Sequence, residues 1–365
     1  MFRRLTGLIA LLSLLSIGGG AASAAGPDGA ILYVMTPGHM TEYQIGTWNQ
    51  VATVDMPTYP GEIRGTAVDL GRHSFYITYG GHGGTSGNGS ILRYDFVTGQ
   101  TLWNNHYSHG VDMPAYCGDK VYYGAGSGSK STTWYVIDAD TGSDLGTVSG
   151  GSHPHNAICH NGILYMGGEK STYLYEQGSG VAPRSGPVSP AGIRPFTVNA
   201  ADTRAWVTQS NYRGFSVLDT VNGNVLATVQ FGPNPSTSKL DAYSHGISLS
   251  PDGSEVYVLD AIAQTVEVYT AADQPTHLAT IPLNTPIARS TSCGPKCTTY
   301  REGWLLHSYD GRYVFVGDSG DVIDTTTRSI VTHLPALQDD RHGFVEVDWS
   351  GGAPVVTTTH FGISR

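Results

Sequence analysis

Apolar and polar residues alternate in short runs through most of this chain, and Gly, Pro, Asp and Asn punctuate the runs. The clearest unit is HGISLSPDGSEVYVLDAIAQTVEVY, from His245 to Tyr269. It reads as strand, Pro-Asp-Gly turn, strand, short loop and strand. Two-residue alternation suits a pleated surface, and Pro-Asp-Gly presets the dihedrals of a turn. The plan recurs as LLHSYDGRYVFVGDSGDVIDTTT from Leu305 and as TVNAADTRAWVTQSNYRGFSVLD from Thr197. Looser copies begin at Ala67, Asp112 and Ala157, and a fourth strand such as Asn224–Val229 usually follows a Thr-Gly or Asn-Gly turn.

Four short antiparallel strands per unit, repeated about every 40 to 55 residues, predict an all-β fold: a β-propeller. The positions that open the units are Arg64, His109, His155, Arg194, His245, Gly303 and His342, which count seven blades. The segment Ile31–Met56 holds three strands and no first one, whereas HGFVEVDW at the other end supplies one. The N- and C-terminal strands are therefore expected to share a blade and remove the free sheet edges. The tail from Pro354, PVVTTTHFGISR, reads as one strand more than that blade needs.

SPDGSEVYVLD followed by TVEVY, and SYDGRYVFVGD followed by VIDT, resemble the YVTN-type repeats of seven-bladed bacterial and archaeal propellers. The likeness covers most of the chain after residue 25 and is tight in two units. It implies the fold and little about activity, because propellers host lyases, oxidases, binding modules and scaffolds alike.

The first residues break the pattern. Arg3 and Arg4 precede an apolar run from Leu8 to Ile17, and Ala22-Ser23-Ala24 offers small residues for cleavage. Residues 1–25 read as a secretory signal peptide, too short in its apolar run to span a bilayer. Residues 26–365 are then a single propeller domain, secreted to the extracellular space, or periplasmic in a Gram-negative source, and monomeric. Gly at 48 and Tyr at 21 of 365 residues suit tight turns and pleated strands. The net charge of -10 argues against a nucleic-acid partner, which needs a basic footprint. It leaves room for a locally basic pocket.

Export makes disulfides the expected use of the four cysteines. Cys293 and Cys297 flank Gly-Pro closely enough for a small loop, and Cys117 and Cys159 sit in adjacent repeats and would staple them. Zinc is the rival reading, but no Cys-x2-Cys spacing occurs.

Candidate chemistry lies at the opening positions. In a four-stranded blade the first strand lines the channel, so residues just before it stand at one mouth. That address collects His109, His155, His245, His342, Arg64 and Arg194, with Arg301 two residues before Gly303. Tyr107, Tyr243 and Tyr300 are close by, as are His82, His106, His153 and Glu302. Arginine captures a carboxylate, sulfate or phosphate in bidentate fashion. Histidine and tyrosine move protons, histidine near neutral pH. Together these groups suit β-elimination on a uronic-acid polysaccharide. In residue types the set resembles that of propeller-fold polysaccharide lyases, some of which use a divalent ion.

The leading expectation is a secreted lyase acting on an anionic carbohydrate. His245, His109 or His155 is the base, Tyr243 its acid partner, and Arg64, Arg194 and Arg301 clamp the carboxylate, with His342, Tyr107 and Tyr300 lining the substrate. The alternatives are a copper oxidoreductase ligated by His109, His155, His245 and His342, and a non-catalytic binding propeller. A divalent ion (Ca, Mn or Cu) is the only cofactor considered. A hydrolase is disfavoured, because glycosidases need two placed carboxylates and the mouth offers only Glu302 with Asp241 or Glu62. His307, inside a first strand, is expected to point into the channel deeper down.

Overall fold

Period-two alternation yields strands almost throughout: among the described residues there are 29 strands and one short helix. The computed structural model describes residues 28–57, 62–80, 89–125, 132–149, 154–168, 172–176, 185–188, 192–234, 242–287 and 302–358. The chain opens with β1 (Gly29–Thr36), β2 (His39–Gln44) and β3 (Gln50–Asp55).

Six four-stranded antiparallel blades follow in order. The first is β4 (Glu62–Asp69), β5 (Ser74–Gly80), β6 (Gly89–Asp95) and β7 (Gln100–Tyr107). The second is β8 (Pro114–Cys117), β9 (Lys120–Gly124), β10 (Thr133–Asp138) and β11 (Asp144–Ser149). The third is β12 (Pro154–His160), β13 (Ile163–Gly168), β14 (Thr172–Glu176) and β15 (Ser185–Val188). The fourth is β16 (Ile193–Val198), β17 (Arg204–Gln209), β18 (Gly214–Asp219) and β19 (Val225–Gln230). The fifth is β20 (Ile247–Leu249), β21 (Glu255–Asp260), β22 (Thr265–Thr270) and β23 (His277–Pro282). The sixth is β24 (Trp304–His307), β25 (Tyr313–Gly317), β26 (Asp321–Asp324) and β27 (Ser329–His333). The helix α1 (Pro335–Gln338), β28 (Phe344–Ser350) and β29 (Ala353–Thr357) complete the described chain.

Burial follows position within the blade. The first strands β16 and β24 are buried along their whole length, whereas the outer strands β3 and β27 alternate exposed and half-buried residues. Apolar side chains between neighbouring sheets form the cores. Ile31, Tyr33 and Val345 of the terminal sheet meet Phe75 and Ile77 of the first blade. On its other side Leu32, Val34 and Phe344 meet Phe315, Val322 and Leu337 of α1.

The terminal sheet joins both ends of the chain in the order β29-β28-β1-β2-β3, with β1 antiparallel to β28 from Gly29↔Trp349 to Val34↔Phe344. It has five strands, not the four of the general plan. The left-handed pair Gly351-Gly352 turns the chain back, and β29 takes the open hydrogen-bonding edge of β28, with Ser350 opposite Ala353 and Val347 opposite Thr357.

Cys117, at the end of β8, is bonded to Cys159 of β12, so the disulfide ties the second blade to the third. Cys293 and Cys297 lie outside the described residues, as does the whole of residues 1–27. No helix among the described residues is long and apolar enough to cross a membrane.

Gly214 at the start of β18 shows how tightly the strands meet. Its φ is +149°, and a Cβ there would collide with the Val229 carbonyl of β19. We expect Gly214→Ala to lower stability by about 2–4 kcal/mol. The check is the midpoint of urea unfolding at unchanged slope; an unshifted midpoint would show that β18 and β19 separate freely.

Candidate functional site

The innermost strands begin near a common end of the molecule, and that end gathers the basic residues. Arg64, His155 and Arg194 lie at the start of β4, β12 and β16, while His245, Glu302 and His342 stand just ahead of β20, β24 and β28. All except Glu302 are at most 5% exposed. Burial of so many polar groups demands that they pair with one another.

His245 is the centre of the network. Its Nδ1 lies 3.1 Å from the Gly303 carbonyl, which can only accept, so the proton sits on Nδ1 and Nε2 presents a lone pair. That Nε2 is 3.4 Å from Nε2 of His155 and 3.5 Å from Oε2 of Glu302. The indole of Trp304 separates His245 from His342, edge-on to both at centroid distances of 5.2 and 5.5 Å.

Three guanidinium groups surround these imidazoles. Arg64 donates to Asp112 at 3.0 Å and to Glu62 at 3.4 Å. Arg194 donates from Nε to Ser210 at 2.8 Å. Arg341 donates from Nε to Asp318 at 3.0 Å and from Nη1 to Glu302 at 3.3 Å. Glu302 and Arg341 keep 21% and 17% of their side chains exposed, and Arg341 lines a hollow of about 140 Å³ whose other polar walls are the carboxylates Glu62, Asp318, Asp339 and Asp340.

The electrostatics follow from burial and from these neighbours. Burial lowers the His245 pKa to about 4, with Glu302 opposing and Arg341 and Arg194 assisting. Burial first, then Arg194 and His245, holds His155 well below its ordinary value. His342 is lowered in the same way by burial, Arg64 and Arg341. Burial alone would raise Glu302, but His245 in its protonated form and the Arg341 and Arg194 guanidinium groups hold it below the ordinary carboxylate range. Asp112 moves the other way, raised by burial against the pull of Arg64. The site therefore offers neutral imidazoles beside permanently charged arginines at neutral pH. It can accept a proton, and a ligand carboxylate must compete for Arg64 and Arg341 with Asp112, Glu62, Asp318 and Glu302.

Several sequence-based assignments do not converge here. His109 lies five residues ahead of the first strand residue, Pro114, whereas His245 is only two ahead of Ile247. The longer lead carries His109 away into a stack on Tyr135, ring centroids 3.4 Å apart, with Nε2 2.9 Å from the Tyr123 hydroxyl. Tyr107 belongs to the same aromatic group and donates to the Gly142 carbonyl at 2.8 Å. Asp112 takes the place expected of His109. Tyr243 is buried against Ala261 and Ile262. Tyr300 and Arg301 lie outside the described residues. His307 meets the first strand of the fifth blade, with Nδ1 2.8 Å from Ser248. Among the described residues no group of three His, Cys, Asp or Glu side chains is arranged to hold a metal ion.

Arg341, Glu302 and Asp318 were not assigned roles from sequence. Arg341 precedes His342 at an opening position and was legible there; Asp318 was not, since it ends up near the site only through packing. Its Oδ2 accepts both the Arg341 Nε–H and, at 3.1 Å, the Gly303 N–H. Asp318 thus holds the N–H side of the glycine whose carbonyl sets the His245 tautomer, and it has a left-handed φ of +61°. Asp318→Asn should therefore mix the two neutral tautomers of His245, read from imidazole ¹⁵N shifts. A single unchanged tautomer would remove Asp318 from this role.

No protein-family model matches the chain, and no curated protein matches it by sequence. Solved structures do match in fold. A functionally unknown protein from Desulfotomaculum acetoxidans has a TM-score of 0.65 at 12% identity, over 86% of this chain and 98% of that one. Hydrazine synthase of Kuenenia stuttgartiensis gives 0.59 at 13%, over 89% and 100%. The dihydro-heme d1 dehydrogenase NirN in complex with DHE gives 0.56 at 14%, over 90% and 73%. The chain is a β-propeller. At these identities the likeness fixes the fold and carries no activity with it.

Proposed function

We propose that this chain is an exported seven-bladed propeller of the YVTN-repeat kind, the five-stranded sheet being its seventh, ring-closing blade. Its Arg–His cluster is the active site of a lyase that cleaves a uronic-acid-containing polysaccharide. One observation carries the reading: the unprotonated Nε2 of His245 lies 3.5 Å from Glu302, which Arg341 holds at 3.3 Å, with Arg194 close enough to act on the same imidazole.

In this reading Arg64, Arg194 and Arg341 bind the uronate carboxylate and acidify the C5 proton. His245 Nε2 takes that proton, the C4–O4 bond breaks, and a C4=C5 double bond forms. Water supplies the proton to the departing O4, because Tyr243 is buried against Ala261 and Ile262 instead of joining the cluster. Because the base must be neutral, activity is lost as pH falls through about 4, not through the ordinary histidine range. The step requires no divalent ion. The copper reading keeps only three of its four imidazoles and places guanidinium groups around them, which opposes cation binding.

The test is growth of the unsaturated-uronate absorbance on incubation with a panel of acidic polysaccharides, alongside metal analysis of the purified protein. Product formation supports the lyase. Silence across the panel sinks it, and a stoichiometric copper ion would establish the oxidoreductase instead.

A further inference from the structure

A second site lies at the opposite ends of the same strands. The turns that follow β20 and β24 carry a repeated sequence, Ser250-Pro251-Asp252-Gly253 and Ser308-Tyr309-Asp310-Gly311. Between them opens a cleft of about 290 Å³, walled by Asp252, Asp310, Glu255, Ser254 and Thr326, with His307 and Tyr257 also lining it.

Each turn aspartate uses one oxygen to shape its own turn. Asp252 Oδ1 accepts the Ser250 and Ser254 hydroxyls, and Asp310 Oδ1 accepts the Ser308 hydroxyl and the Arg312 N–H. Glu255 is committed to Arg328 and the Tyr257 hydroxyl. The Oδ2 atoms of Asp252 and Asp310 remain for a ligand at the exposed rim.

His307 supplies an independent observation. It is 0% exposed, and its Nε2 has no hydrogen-bond partner among the described residues. Ser248 Oγ accepts the His307 backbone N–H at 3.1 Å and lies 2.8 Å from Nδ1. With the Ser248 hydrogen directed at Nδ1 the imidazole hydrogen lies on Nε2, and with Nδ1–H donating to Ser248 Oγ the Nε2 presents a lone pair; a ligand hydroxyl meets either form. A buried donor or acceptor without a partner costs about 1–3 kcal/mol unless a ligand or solvent hydroxyl meets it.

We infer that this cleft binds a neutral hydroxyl-rich ligand, a glycosyl unit or sugar alcohol. Such a ligand offers a hydroxyl, donor and acceptor in one group, to His307 Nε2 and hydroxyl hydrogens to Asp252 and Asp310 at the same time. Anions are repelled by the three carboxylates. A simple amine has donors for the rim but no oxygen for the floor.

The probes are methyl glucoside, methyl xyloside and maltotriose, titrated into the full chain with ¹³C-labelled histidine. At least one should move the His307 ring resonances saturably while those of His245 stay still. Asp252→Asn combined with Asp310→Asn, both at exposed turns, should weaken that binding by about tenfold or more. His307→Gln is the second variant, with far-ultraviolet circular dichroism as the check on folding. Three results overturn the proposal: no shift with any of the probes, a shift indifferent to the paired aspartate substitution, or saturable shifts with putrescine and none with the sugars. The lyase reading is independent, because polysaccharide cleavage at the other end does not use these residues.

Discussion

His245→Ala is expected to lower unsaturated-product formation by about a thousandfold, with the propeller still folded. Removing the imidazole deletes a group that combines a fixed Nδ1 proton, an unprotonated Nε2 and the neighbouring Arg341 and Arg194. His245→Gln should do nearly as much harm, because its amide can satisfy the Gly303 carbonyl but cannot take a proton. Glu302→Gln should act differently. Glu302 raises the His245 pKa, so its loss makes the base weaker and moves the acid limb of the pH profile further down. The measurement is the rate of absorbance growth against pH for the three variants, with circular dichroism as the fold control. A His245→Ala protein with undiminished rate would end its role as base, whatever the panel shows.

Loss of the Cys117–Cys159 bond should be the costliest structural change. The bond closes a loop between residues 42 apart and joins two blades that otherwise meet through side-chain packing such as Ala115 and Ala157. Loop-closure entropy alone gives about 4 kcal/mol for such a span. Cys117→Ser combined with Cys159→Ser should lower the thermal midpoint correspondingly, and dithiothreitol should lower that of the parent by more than that of the double variant. Equal midpoints for parent and variant would show that inter-blade packing suffices. The same pair of cysteines is what an oxidising compartment favours, in keeping with export.

Much of this architecture was legible in the chain. Alternation with Asp-Gly turns fixed the strands, because a pleated strand repeats every two residues and Pro-Asp-Gly presets a turn. The surplus strand of the tail was readable as well, and it became β29 on the open edge of β28. The pairing of Cys117 with Cys159 followed from their places in neighbouring repeats. Arg64, Arg194, His155, His245 and His342 were found from one address, just before or at the start of a first strand.

What the sequence left undecided turns on distances of a few residues and on contacts between blades. His109 shares the Tyr-Ser-His-Gly motif with His245, yet a lead of five residues before β8 places it in an aromatic stack. Motif likeness alone did not contain that length, because it depends on where the strand starts pairing. Asp318 reaches Arg341 and Gly303 from the end of β25, and no local pattern marks it. The partners of His307, Ser248 and Tyr257, come from the neighbouring blade.

The sequence by itself determined the strands, the repeat and the ring of basic residues, since each depends on local periodicity. Only the tertiary structure decided which of those residues meet, which tautomer His245 adopts and which carboxylates hold the arginines, because these depend on how separate blades pack.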